Sequence, residues 1–443
     1  MIKKIIGRIV LNYFKVLAKI QLSKNSGATV IGITGSAGKT STAFAIVDIL
    51  KHRGKVKQTI GLNSESGISL SILGLSPKNY SLFDWARLLI LAPIRILTFS
   101  EHFDYYVVEM GIDSPAPPKN MAYLLSIVRP NIGVVLNASL THTANFDYLV
   151  KDNNLERRTK KLVQLISKEK MSLARGLVKN GVAIVNIDQK EFADGLREIE
   201  TRKITYGKSA KADLRIISFS TSNDGTNFTF RYQGTMYELK VGDLLPEHFS
   251  YTFAAAIATA SSLGIPPSIS LSSFTDYRSP PGRARLFKGI NASTIIDSSY
   301  NASPQTMLES LKMLKKIAGK HKKIAVLGDM RELGISTKYS HKQLSEWIRL
   351  YADEAILFGD AMSEFTLPML QTKKFPVTHF YKMTELIRYL KNRLKPNTFT
   401  LIKGSQNEIF LERVVEAVLI DKSDISRLCR RGKYWDRLRL KTK

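Results

Sequence analysis

Val30-Ile31-Gly32-Ile33-Thr34-Gly35-Ser36-Ala37-Gly38-Lys39-Thr40-Ser41-Thr42 is the stretch on which the fold turns. A β-branched run passes into a glycine-rich turn and then into a segment rich in Ala and Ile, the pattern of a buried strand followed by a helix. Such a turn aims backbone N–H groups at phosphate oxygens and sets the positive end of the helix dipole beneath them. The candidate phosphate-binding residues are therefore Thr34, Gly35, Ser36, Ala37, Gly38, Lys39, Thr40 and Ser41. In this reading Lys39 reaches the terminal phosphates and the Thr40 hydroxyl ligates Mg²⁺. The common P-loop carries its first glycine five residues before the second. Here Ile33 holds that position, which leaves the shorter form Thr-Gly-x-x-Gly-Lys-Thr.

Outward from the loop, short β-branched runs at 29–34, 105–109, 131–137 and 182–187 read as buried parallel strands. Residues 211–240 instead alternate around turn signals such as Asn223-Asp224-Gly225, which predicts a small antiparallel piece. In the second half, strands at 293–297, 323–327, 354–358 and 399–402 alternate with helical segments near 304–318, 339–351, 383–394 and 407–420. Successive βα units of this kind predict a doubly wound sheet. The expectation is an α/β protein with a P-loop central ATPase domain and a C-terminal Rossmann-like doubly wound domain, hinged at Ser279-Pro280-Pro281-Gly282.

Composition narrows the chemistry. The single cysteine, Cys429, excludes an internal disulfide and a zinc ribbon, and fits a reducing cytosol. A net charge of +28 favours anionic partners, although a Lys-rich surface accounts for it equally. Residues 2–20 place Ile2, Ile5, Ile6, Ile9, Tyr13, Val16, Leu17 and Ile20 on one side and Lys4, Arg8, Asn12, Lys15 and Lys19 on another. This predicts a basic amphipathic helix that either packs on its own domain or lies on an anionic bilayer. Residues 82–99 form a second apolar stretch, expected to be broken at Pro93, with Asp84, Arg87 and Arg95 excluding a membrane span. A core helix pair is the favoured expectation there, and a greasy surface for a lipid or large substrate the alternative.

The short phosphate loop is similar to that of the Mur ligase and folylpolyglutamate synthase superfamily, and separated motifs extend the resemblance over roughly residues 29–420. Asn63-Ser64-Glu65-Ser66-Gly67-Ile68, Val107-Val108-Glu109-Met110-Gly111 and Asn137-Ala138-Ser139-Leu140-Thr141-His142 resemble segments of the D-alanyl-D-alanine-adding Mur ligases. So do Asp297-Ser298-Ser299-Tyr300-Asn301-Ala302-Ser303-Pro304, Leu327-Gly328-Asp329-Met330-Arg331-Glu332-Leu333-Gly334 with His341 downstream, and Lys403-Gly404-Ser405. Each match is short; their joint order and spacing identify the family. The resemblance implies a division into a basic helix (1–28), a central ATP-binding domain (29–279), a C-terminal domain (280–420) and a basic tail (421–443).

The resemblance also implies an ATP-dependent ligase. The γ-phosphoryl group passes to an acceptor carboxylate, and an amine attacks the acyl phosphate, so positioning and charge neutralisation carry the catalysis. Two Mg²⁺ ions are implied, one on Thr40 and Glu109 and a second on His142 and Lys170. Lys170 matches a lysine that the family carbamylates, with Lys168 close by as a rival in register. Lys39, Glu109, His142 and Lys170 are the implied catalytic group. Asn137, Arg283, Asp297 and Asn301 join the loop around the nucleotide.

Departures bear on the substrates. Only about 28 residues precede the first strand, where the family carries a domain that grips a UDP-sugar. The family's Gly-x-His-Asn-x-x-Asn segment reads Glu247-His248-Phe249-Ser250-Tyr251-Thr252, and Ser298 stands where a second Asp is usual. Thr143-Ala144 also replace the Leu-Glu that follows the motif histidine. The expected partners are a muramoyl-peptide or related carboxylate acceptor, D-alanyl-D-alanine or a similar amine, and an anionic membrane surface. The expected enzyme is a cytoplasmic monomer, peripheral at the inner membrane face. A different acceptor, such as a folate or another cell-wall peptide, is the alternative within the superfamily. A nucleic-acid-binding NTPase is the alternative outside it, suggested by the basic and aromatic tail 427–437; no nucleic-acid fold signature accompanies that tail.

Overall fold

The computed structural model describes residues 2–59, 62–140, 143–222, 225–406 and 408–441. Its first sheet contains β1 (Thr29–Thr34), β2 (Val56–Thr59), β3 (Tyr105–Glu109), β4 (Ile132–Val135), β5 (Val182–Asn186), β6 (Arg202–Gly207), β7 (Leu214–Ser222), β8 (Gly225–Tyr232) and β9 (Thr235–Val241). The strand order is β2-β3-β1-β4-β5-β6-β7-β8-β9. From β2 to β7 every pairing is parallel, and β1 and β4 are buried almost throughout, as strands covered on both faces must be. β7, β8 and β9 pair antiparallel, and β8 alternates buried with exposed side chains because one face meets solvent. The antiparallel piece is therefore an extension of the parallel sheet, joined where Tyr206 pairs with Leu214 and Gly207 with Arg215. The Asn223-Asp224 turn lies outside the described residues, but Ser222 pairs with Gly225 across it.

β1 has β3 on one side and β4 on the other, so the connections leaving its neighbourhood run in opposite directions. That switch point opens a crevice at the carboxyl end of β1, where the phosphate loop lies.

The second sheet holds β10 (Arg285–Gly289), β11 (Ser293–Asp297), β12 (Lys323–Gly328), β13 (Glu354–Phe358), β14 (Val377–Phe380) and β15 (Phe399–Lys403), in the order β10-β11-β15-β12-β13-β14. Only β10 runs antiparallel. The helices Pro304–Ala318 and Thr337–Tyr351 bury Leu311, Leu314, Leu344 and Ile348 in one core. Met383–Arg393 and Glu412–Val418 bury Leu386, Leu390, Val414 and Val415 in another, so both faces of the sheet are covered. The Ser303-Pro304 dipeptide starts the 304–318 helix for local reasons. Ser303 caps it in a reciprocal box with Thr306, and Pro304 occupies the first turn, where its missing N–H costs nothing.

Two expectations are corrected. Pro93 does not break the 82–99 stretch: Leu82–Thr98 is one helix. Proline removes the N–H that would bond the carbonyl four residues back, and that carbonyl, Leu89 O, instead accepts the Tyr13 hydroxyl at 3.0 Å. Tyr13 sits on the N-terminal helix Ile2–Ser23, which packs beside 82–98 and buries Phe14 and Ala18. The favoured core reading of 82–99 is also corrected, because only Asp84, Leu88 and Ala92 of this helix are buried. The basic tail is partly buried. Leu428, Cys429 and Arg430 are buried, and Arg430 forks onto Glu412 at 2.8 and 2.6 Å while donating to the carbonyls of Ser299 and Tyr300.

Candidate active site

The phosphate loop is braced by its neighbours. Gly38 adopts φ +84°, a left-handed conformation that a Cβ would strain. With no side chain there to cap the helix Lys39–Leu50, its first-turn N–H groups face the cleft. Asn137, just past β4, holds both sides of Ala37: its Oδ1 accepts the Ala37 N–H at 2.9 Å and its Nδ2 donates to Ala37 O at 3.0 Å. Asn137 thus shapes the loop through its side-chain amide. Ser36 Oγ accepts from Ser139 N at 2.9 Å, and Lys39 Nζ folds back to donate to Gly35 O at 2.6 Å.

Above the loop lies a cavity of about 440 Å³ between the two sheets, inside the roughly 300–1,000 Å³ usual for small-ligand sites. One wall carries residues 36–42, Asn63 and Glu109. The other carries Arg283, Tyr300, Asn301 and Lys403 from the second sheet. Arg283 lies over the Tyr300 ring at 3.8 Å and donates to Thr40 Oγ at 3.1 Å. Asn301 faces the cleft with its Oδ1 accepting from Ser405 Oγ and Gln406 N, each at 3.2 Å. Gly111 follows Glu109 at the end of β3 because a Cβ there would lie 2.9 Å from the Asn63 side chain.

Lys39, Arg283 and Lys403 line this space, and Lys170, which does not line it, feels the charge of Lys39 from behind. Burial lowers the pKa of Lys39, against the pull of Glu109 and Asp113. Lys170 is buried on the helix Leu155–Arg175 while Lys168 is exposed, so the helix turns only the former inward. Burial, followed by the charge of Lys39, holds Lys170 well below the usual lysine range. Burial and then Arg283 bring Lys403 down to about 7, and burial and then Lys403 bring His248 down to about 4. A cleft that disfavours its own positive charges is preorganised for a polyanion, which would restore them.

The sequence candidates fall into groups. Ser36, Ala37, Gly38, Lys39, Thr40, Ser41, Glu109, Asn137, Arg283 and Asn301 all line the cleft. Thr34 and Gly35 are buried beneath it at the end of β1. Asp297 is fully buried behind the cleft wall, where its Oδ1 accepts from Ser299 N and Oγ at 3.0 and 2.6 Å. It is not brought to the cavity. His142 lies outside the described residues. The next residue, Thr143, donates from its hydroxyl to Leu333 O at 2.7 Å and so ties that segment to the second sheet's unit.

Two motif residues have structural roles. Asp329 accepts from Ala361 and Met362 N–H groups at the start of a helical segment. His341 donates from Nδ1 to Thr337 O at 2.8 Å and accepts Met330 N–H on Nε2 at 3.1 Å, as a neutral imidazole does. Sequence reasoning quoted Lys403 and His248 only as motif letters and omitted Tyr300 from the site. Asp113, which acts electrostatically on both Lys39 and Lys170, carried no sequence signal.

Comparison with known proteins places these features. Residues 33–260 match the Mur ligase middle domain, and residues 282–406 match the Mur ligase glutamate ligase domain. The UDP-N-acetylmuramoyl-tripeptide–D-alanyl-D-alanine ligase of Buchnera aphidicola subsp. Baizongia pistaciae is 28% identical over 400 residues, which span 89% of this chain and 76% of that protein. The crystal structure of MurF from Acinetobacter baumannii superposes with a TM-score of 0.74 at 21% identity, covering 93% of this chain and 79% of that one. MurF from Thermotoga maritima, solved in complex with ADP, gives 0.74 at 23% identity over 92% and 83% of the two chains. With more than half its length in the middle-domain match alone, the chain belongs to the Mur ligase family.

Proposed function

We propose that the chain joins D-alanyl-D-alanine to the peptide of a UDP-linked muramoyl precursor at the expense of ATP, as the names of its relatives describe for them. The observation that carries this reading is the facing of the braced phosphate loop by Arg283 from the second sheet, across a cleft lined also by Lys39 and Lys403. An acceptor carboxylate oxygen attacks the γ-phosphorus and ADP departs. The amine then attacks the acyl carbon, phosphate leaves, and the new amide loses one proton. Loop N–H groups, Lys39 and Arg283 bind the phosphates and oppose charge on the group in transfer.

Among the described residues no group of three or more His, Cys, Asp or Glu converges as a metal cage. Mg²⁺ needs none, since it keeps several waters and takes one or two protein oxygens beside substrate phosphates. Thr40 and Glu109, both in the cleft, fit that requirement and would hold the ion, which supplies charge neutralisation at the phosphates. Lys170 fits carbamylation, because CO₂ adds to a neutral amine and its surroundings favour the neutral form. With His142 it would hold a second ion. The proposed enzyme is a cytoplasmic monomer; no helix among the described residues is long and apolar enough to cross a membrane. Nucleic acid has no place in this reading.

The test is phosphate release from ATP with Mg²⁺ and bicarbonate, adding UDP-muramoyl-tripeptide and D-alanyl-D-alanine singly and together. Release that requires both, with a new amide product, supports the proposal. Release neither with the pair nor with a single substrate directs attention to another acceptor, for which Thr252 and Ser298, both in the cleft, are the places of departure.

A further inference from the structure

The two helices joined by the Tyr13–Leu89 hydrogen bond present a continuous apolar strip outward. On Ile2–Ser23, Ile6, Ile9, Val16 and Ile20 are exposed at spacings of three, four and seven. Phe14 and Ala18 face the core instead. On Leu82–Thr98, Phe83, Ile90, Ile94 and Leu97 repeat in the same way, with Phe83 at 89% and Leu97 at 88% exposure. Tyr13 donates to Leu89 O, Gln21 to Phe99 O and Lys24 to Ile96 O, so the helices lie side by side and run in the same direction. By helical phase both strips turn away from the core onto one face. Side chains this apolar are not left outward in such number without a use.

The exposed charge around the strip is mainly basic. Arg8 and Lys19 are exposed beside it on the first helix, while on the second Arg87 is taken up by Asp84 and Arg95 by Gly74 O. Residues 6–23 contain no acid. Asp84, the only acid in 82–98, is buried and paired with Arg87 at 2.7 Å. At the Leu82 end, Tyr80 meets Tyr434 at 5.8 Å, which brings the C-terminal helix Lys433–Lys441 alongside with Lys433 and Arg437 exposed. An apolar strip rimmed by basic residues is complementary to lipid chains beneath anionic headgroups. It is poorly matched to a second copy of itself, whose basic rim would repel.

We propose that this face docks on an anionic lipid bilayer, with Ile9, Val16, Phe83, Ile90, Ile94 and Leu97 entering the acyl boundary and the exposed Arg8, Lys19, Lys433 and Arg437 engaging headgroups. The inference goes beyond the ligase reading and does not depend on it. The test is co-sedimentation of the full chain with phosphatidylcholine vesicles, with and without about a third phosphatidylglycerol. Binding to anionic vesicles, weaker by roughly tenfold on neutral ones and reduced by salt, is expected. Phe83→Asp with Leu97→Asp should lower it by more than about tenfold while leaving ADP binding, measured in parallel as the check on folding, unchanged. Absence of binding to anionic vesicles at low salt overturns the proposal, as does equal binding to neutral vesicles. So does a concentration-dependent dimer that Leu97→Asp dissociates while vesicles bind neither form.

Discussion

Arg283 donates to the Thr40 hydroxyl at 3.1 Å while its guanidinium lies 3.8 Å from the centre of the Tyr300 ring. The first contact links the second sheet's unit to the phosphate loop of the first. The second contact seats the guanidinium over an aromatic ring of its own unit. The planar fork and the stacking both belong to arginine, so lysine is not an equivalent replacement.

Arg283→Lys should therefore behave nearly as Arg283→Ala. The expected loss in kcat is about 10²-fold for either, the scale of removing one oriented donor from a transition state. Phosphate release under saturating substrates measures it. A lysine variant retaining full turnover would show that charge alone suffices and that the Tyr300 stack is dispensable.

Lys170 gives a prediction in pH. Its folded pKa lies well below the usual 10.5, so the folded chain binds fewer protons there than the unfolded chain. Stability must then rise with pH from the depressed value towards 10.5, and fall on acidification. Lys170→Met should flatten that slope in urea unfolding followed across pH. If Lys170 is carbamylated, wild type incubated with ¹³C-bicarbonate should give a carbamate carbon signal that the variant lacks. Depleting CO₂ should then lower turnover at least ~10-fold. A variant with the wild-type slope would place the titration elsewhere.

The sequence carried most of the fold because buried parallel strands are read from uninterrupted β-branched runs, and β1, β3, β11 and β13 begin and end where those runs do. The phosphate loop was legible for a similar reason, since its geometry is a property of adjacent residues. Asp297 lies behind the cleft wall and not on it, which a motif letter does not disclose, because it gives proximity along the chain and not the side of the strand a carboxylate faces. The Pro93 break was misjudged because the partner that removes its cost, Tyr13, is 76 residues away from Leu89. Asp113 acts on Lys39 and Lys170 only through space, so no local pattern announces it.

Lys403 links nucleotide binding to protons. In the cleft without a polyanion its pKa lies at about 7, lowered by burial and by Arg283. A bound polyphosphate favours the charged amine and raises that value, so binding takes up a proton between the two. Affinity for ADP should then fall as pH rises above about 7, by up to tenfold per pH unit for one linked proton. Titration calorimetry in buffers of different ionisation enthalpy should register the uptake near pH 8. Lys403→Met should bind more weakly and without that proton. Uptake undiminished in the variant would assign the linkage to another group.

The hydrogen bond from Tyr13 to Leu89 O invites a double-mutant cycle. If the tyrosine hydroxyl replaces the N–H that Pro93 lacks, Tyr13→Phe leaves a helix carbonyl without its partner at a helix–helix contact. The expected cost is about 1–2 kcal/mol. In the Pro93→Ala background the alanine N–H can reach Leu89 O in the ordinary helical way, and the same Tyr13→Phe change should cost about 0.5 kcal/mol or less. The difference is the coupling between two residues far apart in sequence, and urea unfolding of the four proteins measures it. Equal costs in both backgrounds would mean that the hydroxyl stabilises the helix pair for a reason unrelated to the proline. A coupling of the expected sign would explain how a proline sits inside the helix that carries the most exposed large apolar side chains among the described residues.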